Sequence, residues 1–421
     1  MALADYIRDM ETCCRCSLCK FIPMEMVKGY KYVSICPSIE RYQFHAYSGG
    51  GRLNVALSLI QGRTQYSERL LHIIYNCQLC GGCDVSCKYA MDMEVLEPLL
   101  HFRIRAVEDG YVHPALQEAI EDLRKTGRMV RGKRADVGRW IEQFDLKDAS
   151  KGSVEILYHF GCRTLYDERM WKVALAAINL FKKAGINVGV FREEVCCGGR
   201  ACKMGFREES LAQARRFLEG LRISRAKILV TACAECYHAF SVLYVKLGVP
   251  LEARIVHLTE FLAGLLESKE LRAKGTINKA VTYHDPCHLG RLGEPFGGWT
   301  GREIEGHIRL FDPPRVFRRG TYGVYDPPRK VLGMIPGLRL LEMPRRKEYA
   351  WCCGAGGGVK ESNPDFALWT ANRRIEEAIS TGAEAIVTSC PGCELNFRDA
   401  LSRSGIGLEV YDVAEILNDV V

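Results

Sequence analysis

Nowhere in the 421 residues do about 18 apolar side chains follow one another, so no membrane-crossing helix is expected. Met1-Ala2-Leu3-Ala4-Asp5 opens neither a basic n-region nor an apolar h-region, so no export signal is expected. No glycine-rich turn stands after a strand and ahead of a suitably placed acidic residue. The run Cys353-Gly354-Ala355-Gly356-Gly357-Gly358 lacks that setting, so no dinucleotide or flavin fingerprint is present. Neither apolar nor charged residues are scarce, at 48% and 26%, which excludes a disordered chain or a fibre. The length suggests two to four domains.

Cysteine is what the chain has in excess, with 20 copies. Without an export signal a disulfide scaffold is not expected, and a reducing, cytoplasmic setting is. So many thiols there point to metal or redox chemistry. The net charge of +7 would ordinarily suggest nucleic acid. That partner is discounted, because thiolate-ligated clusters are negative and would offset the excess.

Cys13-x2-Cys16-x2-Cys19 is followed by Cys36-Pro37, and Cys77-x2-Cys80-x2-Cys83-x3-Cys87 comes later. This is the spacing of a two-cluster ferredoxin, in which one tight turn supplies three ligands and a distant Cys the fourth. Cys13, Cys16, Cys19 and Cys87 are assigned to one cubane 4Fe–4S cluster, and Cys36, Cys77, Cys80 and Cys83 to another. Zinc would leave the third Cys of each triplet without a role. Gly81 and Gly82 are expected to let backbone approach the cluster. Lys88 stands where a Pro is usual, and Cys14 adjoins Cys13, although only Cys13 fits the spacing. Between Cys36 and Cys77, residues Arg52–Ile60 and Ser67–Tyr75 read as helices, and residues 95–145 continue as helices. Residues 1–150 are therefore expected to be an α-helical ferredoxin-like domain. The basic stretch Arg124–Arg134 reads as a solvated face.

Past residue 150 a repeat begins. A strand at Val154–Phe160 leads to Cys162, a helix runs through Trp171 to Phe181, and a strand at Val188–Phe191 precedes Cys196-Cys197-Gly198. A strand at Lys227–Thr231 then ends at Cys233-x2-Cys236. The order returns with Ala280–His284 before Cys287, Cys352-Cys353-Gly354, and Ala385–Thr388 before Cys390-x2-Cys393. Cys197 to Cys353 spans 156 residues and Cys233 to Cys390 spans 157, but Cys162 to Cys287 only 125. The second copy therefore carries an insertion near 293–321. Strands alternating with helices predict duplicated α/β domains with parallel sheets, over 151–275 and 276–421. The cysteines would then stand at the carboxyl ends of strands. Five thiolates per copy exceed what zinc or one cubane needs, and zinc with a spare Cys stays as the alternative. His159, His284 and His288 flank the first cysteines and read as core histidines first and proton donors second. The basic segment Arg315–Arg319 reads as a solvated loop, or as an aid to docking.

At these residues the chain resembles the D-type subunit of heterodisulfide reductase and its relatives, in which a two-cluster ferredoxin domain is fused to two CCG domains. The resemblance implies that Cys162, Cys196, Cys197, Cys233 and Cys236 ligate one noncubane 4Fe–4S cluster, and that Cys287, Cys352, Cys353, Cys390 and Cys393 ligate a second. Cys14 and Cys202 are left over as structural residues. The implied activity is an oxidoreductase acting on sulfur groups. Electrons would pass from the cubanes to the noncubane clusters for reductive disulfide cleavage, or its reverse, within an anaerobic complex. Catalysis would sit at the two five-Cys sites, with no other side chain assigned to it. The alternative is an electron-transfer subunit with no disulfide substrate of its own. Either way the implied partners are redox subunits of flavoprotein, ferredoxin, cytochrome or tungsten-enzyme type, one of which could tie the chain to a membrane.

Overall fold

The computed structural model describes residues 2–27, 29–304 and 310–421. The N-terminal part is helical. Its main helices are Gly49–Ile60, Glu68–Tyr75, Gly82–Met91, Leu96–Glu108 and Pro114–Thr126. Two start where serine hydroxyls accept backbone N–H groups, Ser48 from Gly51 and Ser67 from Leu70. Gly127 ends the last in a left-handed turn. Among described residues before 147 the only extended pairing is a bridge between Phe21 and Ser34. The charges of Arg124–Arg134 lie at the surface and are largely paired, Arg124 with Glu209, Arg131 with Asp122 and Arg134 with Glu193.

Two parallel sheets follow. The first contains β1 (Lys147–Asp148), β2 (Ile156–His159), β3 (Val188–Val190), β4 (Ile228–Thr231) and β5 (Arg254–His257), in the order β1-β3-β2-β4-β5. Next come β6 (Ala280–Tyr283), the antiparallel pair β7 (Arg302–Ile304) and β8 (Leu310–Asp312), then β9 (Arg339–Leu340), β10 (Ala385–Thr388) and β11 (Glu409–Asp412). The second sheet has the order β11-β10-β6-β9, again all parallel. It repeats the first strand for strand, β6 for β2, β9 for β3, β10 for β4 and β11 for β5. The central strands are runs of apolar and Thr residues buried on both faces, as parallel sheets require. β1 and β9, two residues each, are too short to leave a period in the sequence.

The two copies share one core. Phe160, Phe181 and Val190 of the first belong to the same buried cluster as Tyr283, Val387 and Val413 of the second. Helix Trp171–Lys183 lies on helix Val413–Asn418, and helix Leu258–Glu267 on helix Asp326–Gly333. Each pair joins one element from each copy.

The insertion holds β7 and β8, with residues 305–309 outside the described residues. Arg315 lies against Phe317, Trp299 and Phe311, with ring centroids at 4.6, 5.7 and 5.9 Å, and its guanidinium meets Glu94 at 3.0 Å. Arg318 donates to the carbonyls of Pro295 and Leu292, and Arg319 meets Asp92 at 2.6 Å. These cations are engaged within the chain, which corrects the expectation of a free solvated loop. No helix among the described residues is long and apolar enough to cross a membrane.

Candidate metal centres and the adjoining cleft

Cys13, Cys16, Cys19 and Cys87 line one small pocket. Cys14 borders it too, but is exposed. Gly50 forms the opposite wall and donates its N–H to Cys19 Sγ at 3.3 Å. A Cβ on Gly50 would stand 3.1 Å from Cys13 Sγ and 3.6 Å from Cys19 Sγ, so the cavity needs glycine there.

Cys36, Cys77, Cys80 and Cys83 form a second group. Burial pushes the Cys36 thiol up to about 12 against the pull of Arg52, with Cys77 and Cys80 adding to the rise. Cys83 is driven well above the usual thiol range by burial and then by Cys36, Cys77 and Cys80.

The ten remaining cysteines follow one contact pattern twice. In the first copy, neighbouring thiols interact in the order Cys162–Cys196–Cys197–Cys236–Cys233. In the second they run Cys287–Cys352–Cys353–Cys393–Cys390. The glycine of each CCG triplet has a reason to be there. Gly198 donates its N–H to Cys196 Sγ at 3.5 Å and Gly354 to Cys352 Sγ at 3.3 Å, both from a positive φ. Two further contacts link the groups, Cys233 to Cys390 between the copies and Cys80 to Cys352 toward the helical region.

Crowded buried thiols divide their protons unevenly. Hydrogen bonds from Cys196 and Cys236 draw Cys197 down to about 6 against burial. Cys196, despite a hydrogen bond from Cys162, is pushed up to about 12 by its donation to Cys197 and by burial. A hydrogen bond from Cys352, opposed by burial, draws Cys80 down to about 6. Each five-residue set is all sulfur and carries no carboxylate. It fits a multi-iron cluster, since one zinc ion takes four ligands. Arg291 and Arg163 are buried beside these thiols and supply positive charge.

Cys202 is buried but is not among the thiols in contact. The glycines expected to approach clusters answer to packing instead. A Cβ on Gly81 would strike Leu292, and one on Gly82 would strike Ile35. Gly356 and Gly357 lie against the carbonyls of Gln78 and Cys77, where the second copy meets the helical region. Gly161, like Gly50, does face thiols. It has φ +86°, and a Cβ there would stand 3.3 Å from Cys236 Sγ. Gly161→Ala is expected to cost about 1–2 kcal/mol of stability and to lower iron content at the first copy alone. Anaerobic denaturation and metal analysis check both.

Of the ten, Cys162 and Cys287 are only partly buried and the other eight are fully buried. His288 Nδ1 lies 3.5 Å from Cys287 Sγ, and the His238 ring is 5.0 Å from that of His288. His238 in turn lines a cleft with Lys203, Lys246, Arg291, Leu292 and Phe296. Lys203 is 4% exposed, and burial holds its amine below the ordinary lysine range. These cleft residues carry no local motif. They are recognisable only once the helical region, the first copy and the insertion are folded together.

Residues 156–241 and 309–398 match the family model of the CCG cysteine-rich domain. The second match begins past Cys287, yet β6 and Cys287 stand where β2 and Cys162 stand. The D-type subunit of the dihydromethanophenazine:CoB–CoM heterodisulfide reductase of Methanosarcina mazei is 29% identical over 99% of this chain and 95% of its own length. The chain thus carries two CCG domains and is similar over nearly its whole length to D-type subunits of heterodisulfide reductase. The B-type subunit of the fumarate reductase (CoM/CoB) of Methanothermobacter marburgensis is also 29% identical, over 82% of this chain and 61% of that protein. A hypothetical protein from Helicobacter pylori has the same fold at a TM-score of 0.54, with 12% identity over 89% of this chain and 67% of that one. This CCG protein is thus an iron–sulfur electron-transfer subunit similar to subunits of multi-subunit oxidoreductases.

Proposed function

We propose that eighteen of the cysteines hold four iron–sulfur clusters, and that the chain exchanges electrons between a redox partner and a disulfide within a larger anaerobic complex. In this reading residues 1–150 are a ferredoxin-like unit. Its cubanes are held by Cys13, Cys16, Cys19 and Cys87, and by Cys36, Cys77, Cys80 and Cys83. Residues 151–275 and 276–421 each hold one noncubane cluster on five cysteines. When bound, the clusters supply one-electron carriers, and at the five-thiolate sites iron that can take a released thiolate. Two electrons and two protons convert one disulfide to two thiols.

The supporting observation is the succession of neighbouring, mutually interacting thiols from Cys80 through Cys352 and Cys390 to Cys233 and Cys162. Cys14 and Cys16, exposed, mark the edge nearest a partner. Cys287, partly buried beside the cleft, marks where a substrate arrives. The cleft there carries both signs of charge, Lys203 and Lys246 beside Glu94 and Glu97, and His288 Nδ1 lies 3.5 Å from Cys287 Sγ, within reach of a proton transfer.

Anaerobically isolated protein is expected to contain about sixteen irons and about sixteen sulfides and to reduce a small disulfide with an artificial donor. Zinc at a five-Cys site would remove that site from the reading. A second reading is a relay with no disulfide of its own, favoured by the different reaction named for the fumarate reductase relative. Full iron content without disulfide turnover would select it.

A further inference from the structure

The two copies differ at the histidine that closes the first strand of each. His159 ends β2, His284 follows β6, and both are buried. Around His159 the surroundings are apolar and acidic. Phe240 and Phe217 lie 5.0 and 5.3 Å from its ring, and a Glu194 carboxylate oxygen lies 3.3 Å from Nδ1. Around His284 they are cationic. Arg374 Nε donates to His284 Nδ1 at 3.1 Å. Phe217 and Arg374 hold corresponding places, 157 residues apart, as Cys233 and Cys390 are.

Arg374 is fully buried and fixed on its other side, donating to Glu377 at 2.7 Å and to the Arg345 carbonyl at 2.8 Å. Glu377 also accepts from Arg345 Nε at 3.0 Å. A guanidinium has no acceptor and stays charged, so His284 Nδ1 must be the acceptor of this bond. The neutral ring then carries its hydrogen on Nε2. That nitrogen is buried and has no other hydrogen-bond partner. Donor atoms of His284, Cys353 and Cys393 all lie within 4.8 Å of one another. Such a trio could suit a metal ion, but a protonated Nε2 has no lone pair to offer one. We propose that Arg374 locks His284 as an N–H donor to sulfur at the second CCG site, a positioning pair that the first site lacks.

Hydrogen bonds to cluster sulfur help set the reduction potential. An N–H donor favours the more negative, reduced form, so the second site would take electrons more readily than the first. This rests on the proposed iron–sulfur occupancy of that site.

The test uses the iron-loaded full chain, wild type, His284→Phe, His284→Gln and Arg374→Met, in redox titration and pulsed EPR with ¹⁵N-histidine and D2O. Wild type is expected to show a weak histidine nitrogen coupling and an exchangeable proton at one cluster. His284→Phe should lose the His284 share of both, leaving that of His288 beside Cys287, and lower the potential of that cluster alone. His284→Gln, whose amide can accept from Arg374 and still donate, should keep the proton and the potential. Arg374→Met should weaken the proton coupling. An unchanged potential in His284→Phe at full iron content, or a coupling of directly bonded strength in wild type, would overturn the proposal. If His284→Phe fails to load iron, the wild-type spectra with His284→Gln and Arg374→Met decide. Absence of iron from the second site in wild type would instead sink the reading of its occupancy.

Discussion

Cys353→Ser is expected to remove about four of about sixteen irons and to cut disulfide turnover by more than about 100-fold. Groups that merely orient metal ligands cost 10–100-fold when lost, and Cys353 is placed closer than that. It is buried, its neighbours on either side in the thiol run are Cys352 and Cys393, and it draws a hydrogen bond from each. Serine keeps the shape but offers a poor ligand to iron. Cys197→Ser should strip the first copy in the same way, since Cys197 holds the same middle place between Cys196 and Cys236. Cys202→Ser is the control. Cys202 is equally buried but outside the thiol runs, so all iron should stay. Iron counts and Mössbauer spectra of the three variants check this, and full iron in Cys353→Ser would end the ligand assignment.

Arg103→Met is expected to destabilise the chain by about 3–5 kcal/mol without removing any thiol. Arg103 is 1% exposed. Its guanidinium donates to the carbonyls of Ile74 at 2.9 Å and Cys77 at 2.8 Å in the helical region, of Lys203 at 2.8 Å in the first copy, and of Gly357 in the second. One side chain thus ties all three parts of the chain together. Methionine fills similar volume but leaves four buried carbonyls without a donor. Anaerobic guanidinium unfolding of the iron-loaded protein measures the loss, and a change under about 1 kcal/mol would show that these carbonyls find other partners.

Local features carry most of what is legible in the sequence. The Cys13–Cys19 turn and the Cys77–Cys87 segment are readable because a few residues must wrap one small object. The sheets are readable because β2, β4, β6 and β10 are apolar runs that each end at a cysteine. The contacts that join the groups leave no such trace. Cys80 meets Cys352 and Cys233 meets Cys390 only through the folding of distant segments, and spacing says nothing of that. The run Gly356–Gly357 has the look of a cluster cradle, yet its glycines are demanded by the carbonyls of Cys77 and Gln78. Arg315 has the look of a free surface charge because its partner, Glu94, lies far away in the chain. His159 and His284 are alike in their sequence setting, and only the residues packed against them tell them apart.

The helix pairs that cross between the copies have a consequence for each half taken alone. Helix Trp171–Lys183 covers itself with helix Val413–Asn418 of the other half, and helix Leu258–Glu267 does so with Asp326–Gly333. A severed half would present its apolar flank to water. The two halves therefore depend on each other to keep that flank out of water.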